Sequence, residues 1–427
     1  MTLRLAALSL AALSAASTAM AERTVLSGGN VIDVRTGDIM TDASILVEDG
    51  RIVGVGSEDS FGLDGAETVI DLQGAYVLPG LSDSHVHLTS RHDDHGYRGL
   101  AVSLPRATIS GVANAQKTLR AGFTTVRNVG AGGYSDVALR DAIMDGEIPG
   151  PRVIPAGVAL GITGGHCDTN LLPFEYKDRA EGVADGPWGV RQKVRQNVKY
   201  GAEVIKYCGT GGVLSKGTKI GAQQFTAEEM EAIVDEAHLL GLKVAVHAHG
   251  TKGIRTAIEA GVDSVEHSSL IDDESIELAK EKGTFLSMDV YVSDFILAEG
   301  EEAGILPESL EKERQVGRAQ RESFQRAVKA GAKMAFGTDA GVYAHGLNGR
   351  QFAYMVEWGM SPLQAIQAST INNAELFGMS DSIGAIEVGK EADIIAVDGN
   401  PLDNVKELED VDFIMVDGSV FANELGE

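Results

Sequence analysis

Cysteine is nearly absent from this sequence: Cys167 and Cys208 are the only two in 427 residues. Two cysteines cannot staple a chain of this length, so a disulfide framework is excluded. The pair could form one bond in an oxidising compartment or remain as buried thiols, and both readings stay open. Positive charge is the second shortage. Lys and Arg number 36 against 62 Asp and Glu, a formal net charge of −26. Such a surface argues against nucleic acid or an anionic membrane as partner. The excess acid reads as solubility, for instance in a salty medium, ahead of recognition of a cationic partner. Long apolar runs are the third absence. After residue 21 no segment is long and apolar enough to span a bilayer.

What is present starts with a leader. Arg4 precedes the short apolar core "LAALSLAALSAAS", and Ala19-Met20-Ala21 supplies small residues for cleavage. Residues 1–21 are therefore expected to be a secretory signal, with the mature chain starting at Glu22 in a bacterial periplasm or outside the cell. An uncleaved membrane anchor is the alternative. The remainder is ordinary globular material, 44% hydrophobic and 23% charged, enough for one large domain with a smaller one.

From Arg23 to about Val77 the pattern is short β runs ending in turns, as in "ASILVEDGRIVGVG". The C-terminus resumes that texture in "IGAIEVGKEADIIAVDGNP" and "DFIMVDGSVFANE". Residues 22–79 and 384–427 are thus expected to form one composite β-sandwich. Between them, across residues 80–383, apolar strands alternate with amphipathic helices. "AEVIKYCGTGG" precedes "FTAEEMEAIVDEAHLLG", and "KVAVHAHG" precedes "GIRTAIEAG". Eight such units, each strand apolar enough for burial on both faces, predict a (β/α)8 TIM barrel.

Active sites of such barrels lie at the C-terminal ends of the strands. The strand ends carry His85-Val86-His87, Lys206, His247-Ala248-His249, His267 and Asp339, and His166 lies in the long loop after strand three. Side chains two apart on a strand point the same way, so His85 and His87 can aim at one ion. Neutral imidazoles suit zinc, and an oxygen ligand such as Asp339 leaves an open position for water. Lys206 sits in an apolar strand with no acid adjacent in sequence, which is costly for an ammonium. Either an acid elsewhere meets it, or carbon dioxide converts it to an anionic carbamate able to bridge two metals, with His247 and His267 holding the second.

Taken together, "HVHL", "TGGHCD", "IKYCGTGGV", "VAVHAHG", "VEHSSLID" and "FGTDAG" resemble the amidohydrolase superfamily. The resemblance covers nearly the whole mature chain. It points to the binuclear-zinc branch of dipeptidases and carboxypeptidases that release arginine, lysine or proline, and extends to enzymes that split ochratoxin A at its phenylalanine amide. It implies two zinc ions. His85, His87 and Asp339 would hold the first, His247 and His267 the second, and N6-carboxylated Lys206 would bridge them. It implies attack by a metal-bridging hydroxide on the amide to a C-terminal residue, with Asp339 as proton shuttle and His166 polarising the carbonyl. It also implies a dipeptide or other small-molecule substrate and a homo-oligomer.

Candidates to receive the substrate's carboxylate are Tyr291, Tyr207, Arg127 and His345, and His249 could assist the oxyanion. Asp289, Asp294 or Asp168 would face a basic released residue. Three other readings fit the sequence less well. Deaminases of the superfamily place His-x-x-Glu after strand five, but "HAHGTKG" has no Glu at that offset. An imidazolonepropionase-like cyclic-amide hydrolase does not need the lysine. A non-catalytic metal- or solute-binding protein does not need Asp339.

Overall fold

The structure, a computed structural model, describes residues 23–57 and 68–426. The expected signal segment lies outside the described residues. Five strands open the chain: β1 (Arg23–Ile32), β2 (Ile39–Glu48), β3 (Arg51–Ser57), β4 (Thr68–Asp71) and β5 (Tyr76–Pro79). Eight more follow at intervals: β6 (Leu81–Val86), β7 (Phe123–Asn128), β8 (Arg152–Pro155), β9 (Val204–Cys208), β10 (Lys243–Gly250), β11 (Ser264–Leu270), β12 (Phe285–Ser287) and β13 (Met334–Ala335). The last three are β14 (Ile394–Val397), β15 (Phe413–Val416) and β16 (Ser419–Asn423).

The two chain ends meet in one eight-stranded sheet, ordered β16-β15-β14-β5-β1-β2-β3 with β4 beside β1. The join is the antiparallel pairing of β14 with β5, Ile394 opposite Pro79 and Val397 opposite Tyr76. Strand periodicity divides its faces. Val77, Ile394, Phe413 and Met415 enter a core with Leu26, Ile45 and Ile52. Their neighbours Leu78, Ile395 and Ile414 face the other way and join the core of the barrel.

Strands β6 to β13 pair in parallel as two arcs, β6-β7-β8 and β9-β10-β11-β12-β13. Two parallel bridges close them into a ring: Leu160 with Tyr207, and Val86 with Ala340. All six residues of β6 and all six of β7 are buried, which explains their lack of polar alternation. Helices cover the outside. Local chemistry starts several of them: Thr226 and Glu229 form a capping box before Ala227–Leu239, and Asp272 caps Asp273–Lys282 through Ser275 N. Among the described residues, no helix is long and apolar enough to cross a membrane.

Candidate active site

A cavity of about 840 Å³ opens at the C-terminal ends of the barrel strands. His85, His87, His166, Lys206, His247, His249, His267, Asp289 and Asp339 line it. Residues from seven separate segments, dispersed over 255 positions, thus share one wall. Three groups have ligand atoms within 4.8 Å of one another: His85, His87 and Asp339; His247, His249 and His267; and His267, Asp289 and Asp339.

The strand ends set these positions. His85 and His87 lie two apart at the end of β6, and their Nε2 atoms stand 3.3 and 3.4 Å from Asp339 Oδ1. Asp339 N donates to His85 O at 2.8 Å, across the closing seam of the barrel. Left-handed backbone concentrates here: φ is +69° at His267, +49° at Ser268 and +58° at Asp339. For non-glycine residues this conformation costs on the order of 1–3 kcal/mol each, held by the surrounding structure. At β11 it has a use. Glu266 and His267 are consecutive, yet both face the barrel interior.

The far nitrogens are tied down. His85 Nδ1 lies 3.0 Å from Glu266 Oε2. His267 Nδ1 lies 3.0 Å from both oxygens of Asp289. His249 Nδ1 meets Ser269 Oγ at 2.8 Å and His87 Nδ1 meets Gly130 O at 3.3 Å. Such anchoring fixes each ring and leaves its other nitrogen for the cavity, the arrangement metal-ligating histidines use. His247 Nε2 is buried without a partner among the described residues. Burial pushes His87 down to about 4 and His247 and His249 well below their ordinary range. The imidazoles of His87, His247 and His249, kept neutral by burial, together with an acid and an orphaned buried nitrogen, fit divalent metal.

Lys206 is 3% exposed, and among the described residues no acceptor bonds its ammonium. Burial lowers it to about 8, against the opposing pull of Glu266 and Asp339. An appreciable neutral amine is what carboxylation by carbon dioxide requires.

His166 stacks on His247 with centroids 4.0 Å apart. Its Nδ1 meets Ser215 Oγ at 2.8 Å and its backbone N donates to Gln224 Oε1 at 3.0 Å. A Cβ at Gly212 would stand 2.3 Å from His166 Cε1, so glycine alone lets the loop after β9 approach that ring.

Several expected substrate contacts stand elsewhere. Arg127 is 1% exposed, outside the cavity wall, and donates to Glu266 Oε1 at 2.8 Å and Ser84 O at 2.7 Å. It sits below the mouth of the barrel because β7 continues past it. Tyr207 is fully buried against Phe225, since its neighbours Lys206 and Cys208 take the inward face of β9. His345 bridges Thr118 Oγ1 and His87 O beneath the wall. Tyr291 accepts from Arg350 and packs edge-on against Tyr343. Asp294 pairs with Arg321, and Asp168 accepts from three backbone amides of its own loop, those of Gly164, Thr169 and Ala180. Asp289 does line the cavity, but His267 and Gln320 Nε2 engage its oxygens.

Other residues escaped sequence reasoning. Glu266 joins Arg127 to His85. Asp83 accepts from His85 N, Thr338 N and Oγ1, and Asn348 Nδ2, and burial raises it to about 6. Both were visible as acids inside apolar strands, in "SDSH" and "VEHS", the same signal that marked Lys206. Glu313 lines the cavity from the helix Pro307–Ala330, and nothing in its local sequence marks it. The two cysteines are joined: Cys167 and Cys208 form a disulfide.

A closed parallel barrel with a sheet built from both chain ends, and a histidine-rich cluster at its mouth, defines a known class of hydrolase. Residues 76–421 match the model of the amidohydrolase family, and the chain belongs to that family. It is 34% identical over 414 residues to the ochratoxinase of Aspergillus niger, covering 92% of this chain and 84% of that one. Among solved structures it is similar to a Xaa-Pro dipeptidase with methionine bound in the active site. That match has a TM-score of 0.89 and 38% identity, and covers 94% of this chain and 100% of that one. A prolidase complexed with N-methylphosphonate-L-proline matches at TM-score 0.86 and 32% identity, over 94% of this chain and 100% of that one.

Proposed function

We propose that this protein is an exported, metal-dependent amidohydrolase that cleaves the amide to a C-terminal amino acid in dipeptides or N-acyl amino acids. The observation that carries this reading is the convergence of His85, His87, His247, His267, Asp339 and an unpartnered Lys206 on one cavity. The similarity to an ochratoxinase and to two enzymes named for proline dipeptides supports amide bonds of this kind.

His85, His87 and Asp339 would hold one divalent ion, zinc by preference, and His247 and His267 the other. Carboxylated Lys206 would lie between them. When bound, the ions lower the pKa of a water toward neutrality and polarise the scissile carbonyl. The Asp339 carboxylate would take a proton from the attacking water and pass it to the leaving nitrogen. Against the upward push of burial, the charge and hydrogen bond of His85 hold Asp339 well below the ordinary carboxylate range, so it starts ionised. His166, neutral because burial lowers it to about 3, orients the carbonyl from the opposite wall.

The substrate's other parts meet a mixed wall. Val292, Ile296, Val316 and Val342 supply apolar surface for an acyl group or side chain. The guanidiniums lining the cavity are those of Arg91 and Arg179. Arg91 is committed to Asp93 and Asp94, at 2.6 and 2.9 Å. Arg179 has Asp185 only at 3.6 Å, both more than half exposed, and is the better cation for a free carboxylate. Arg179→Ala should raise KM about tenfold with little change in kcat, the size of one charge-assisted contact.

The disulfide fits an oxidising compartment and supports export of the chain. A homo-oligomer completes the reading, with the exposed aromatics Phe174, Tyr176 and Trp188 as surface for it, and light scattering on the mature chain measures it. The decisive experiment supplies the mature protein with zinc and screens Xaa-Arg, Xaa-Lys, Xaa-Pro and Xaa-Phe dipeptides and N-acyl amino acids. Hydrolysis of none of them would defeat the proposal. Metal analysis should give two ions per chain.

A further inference from the structure

His166 lies in a segment with little regular structure, and two bonds hold the residue itself, its N to Gln224 Oε1 and its Nδ1 to Ser215 Oγ. From Gly161 to Gly182 the chain has no strand, and its helical content is a single turn at Phe174–Tyr176. Backbone bonds join its two ends, Gly161 N to Gly182 O and Ala184 N to Gly161 O. Within it the bonds are local, as at Asp168 N to Gly165 O and Tyr176 N to Pro173 O. A ring that must stay stacked on His247 at 4.0 Å is thus carried by a loop that would otherwise sample many conformations.

The disulfide removes that freedom at the residue next to His166. Cys167 is bonded to Cys208, 41 positions away, and both line the catalytic cavity. Cys208 follows Lys206 by two residues on β9, so its side chain faces inward with the lysine. It is itself fixed in the barrel wall, since its N donates to Leu160 O at 2.9 Å. The bond therefore runs from the loop to the rigid strand that presents Lys206. The cross-link sits in the cavity wall, one residue from His166 and two from Lys206.

We propose that the Cys167–Cys208 disulfide is a positioning element of the active site, holding His166 over the metal-binding cluster and making turnover dependent on the oxidised state. The inference rests on the role given to His166 above. Reduction would free the loop and withdraw the imidazole while the remaining donors keep their places. With a phosphine as reductant the reaction balances simply. The phosphine takes the oxygen of one water, the sulfur–sulfur bond breaks, and the two protons of that water complete the two thiols.

The test compares four full-length proteins: wild type, Cys167→Ser/Cys208→Ser, His166→Ala, and the triple variant. Peptide mapping of the wild type should recover the linked Cys167 and Cys208 peptides. The serine pair should keep the wild-type metal content and lose at least tenfold in kcat, with a smaller change in KM. His166→Ala should lose as much or more, and the triple variant should match His166→Ala, because the disulfide acts through that ring. Should the serine pair fail to fold, phosphine treatment of the folded wild-type enzyme with zinc in excess supplies the same comparison. Free thiols in the exported protein, or wild-type kcat in the serine pair, would overturn the proposal. So would a loss that multiplies with that of His166→Ala, since it would show a merely structural bond. Full activity in His166→Ala would instead refute the role of His166 itself and remove the basis of the inference.

Discussion

Replacing Arg127 by Met tests whether the deepest charge in the barrel is structural. Arg127 and Glu266 are both buried, 2.8 Å apart, and Glu266 also meets His85 Nδ1 at 3.0 Å and Ser264 Oγ at 2.5 Å. Burial alone would raise the Glu266 carboxyl. Arg127, His85 and Lys206 overcome it and hold the group well below its ordinary value. Removing the guanidinium strands a carboxylate in the interior, and breaking a buried pair from one side costs about 3–5 kcal/mol. At roughly 2 °C per kcal/mol for a chain of this size, Tm should fall by roughly 6–10 °C. The carboxyl is depressed, so the contribution of the pair is present at neutral pH and is lost as pH falls through the folded pKa.

The double variant Arg127→Met/Glu266→Gln separates pairing from packing. The amide carries no charge to strand, and its oxygen can still face His85. It should recover at least half of the lost stability. Melts followed by circular dichroism, with zinc and again with chelator, give both numbers. A single variant within about 1 kcal/mol of wild type, or a double variant no better than the single one, would refute the reasoning. Kinetics add a second check. Arg127 does not line the cavity, so KM should stay within about twofold of wild type for substrates with a free carboxylate. A tenfold rise in KM at unchanged stability would restore Arg127 as a substrate contact.

Lys206→Met should lower the metal content below two ions per chain and reduce kcat at least a thousandfold. The chelated protein should be no less stable, since an unpartnered buried ammonium is gone. Asp339→Asn should retain most of its metal and lose about a hundredfold to ten-thousandfold in kcat, the range of general acid–base catalysis, and near-normal turnover would remove the proton role. Glu313 is raised by burial from 4.5 to about 7. A raised carboxyl favours its neutral form in the folded state, so its stabilising effect is full below pH 4.5 and fades as pH rises toward about 7. Glu313→Gln should therefore leave stability at pH 4 nearly unchanged and add roughly 3 kcal/mol at pH 8, read from urea titrations at the two pH values. An equal effect at both would show that burial does not raise the Glu313 carboxyl in the folded protein.

The histidine and aspartate cluster at the barrel mouth was legible because its signals are local. His85-x-His87 and His247-x-His249 place two rings on one side of a strand by geometry that any strand shares. An alternating run of strands and helices then places strand ends at one rim. Asp339 and His267 were found the same way, although their left-handed backbone was not foreseeable from "TDAG" or "VEHSS". The substrate wall was not legible. Val292 and Ile296 reach it from the helix Val292–Glu299, and Glu313 and Val316 from the helix Pro307–Ala330. Which of their faces meets the cavity depends on packing between elements, not on their own periodicity.

Arg127 and Lys206 show where local reading stops. Each is a cation inside an apolar strand, "TTVRNV" and "EVIKYC", and each presents the same cost of burial. Their fates differ because of one residue. Glu266 enters from β11, 139 positions beyond Arg127, and its oxygens bond Arg127, His85 and Ser264. It reaches Lys206 only as a more distant charge, so among the described residues that ammonium has no hydrogen-bonded partner. Both cations need an anion, and the fold supplies one carboxylate at bonding distance. The unmet demand at Lys206 is therefore a consequence of the pair at Arg127. A Glu266 left unneutralised by Arg127→Met would pull harder on the Lys206 ammonium and oppose the anionic carbamate proposed there. Metal content in that variant should then fall even where the fold survives, and excess bicarbonate should restore part of it. Full metal loading in a folded Arg127→Met protein would show that the two cations do not share the carboxylate.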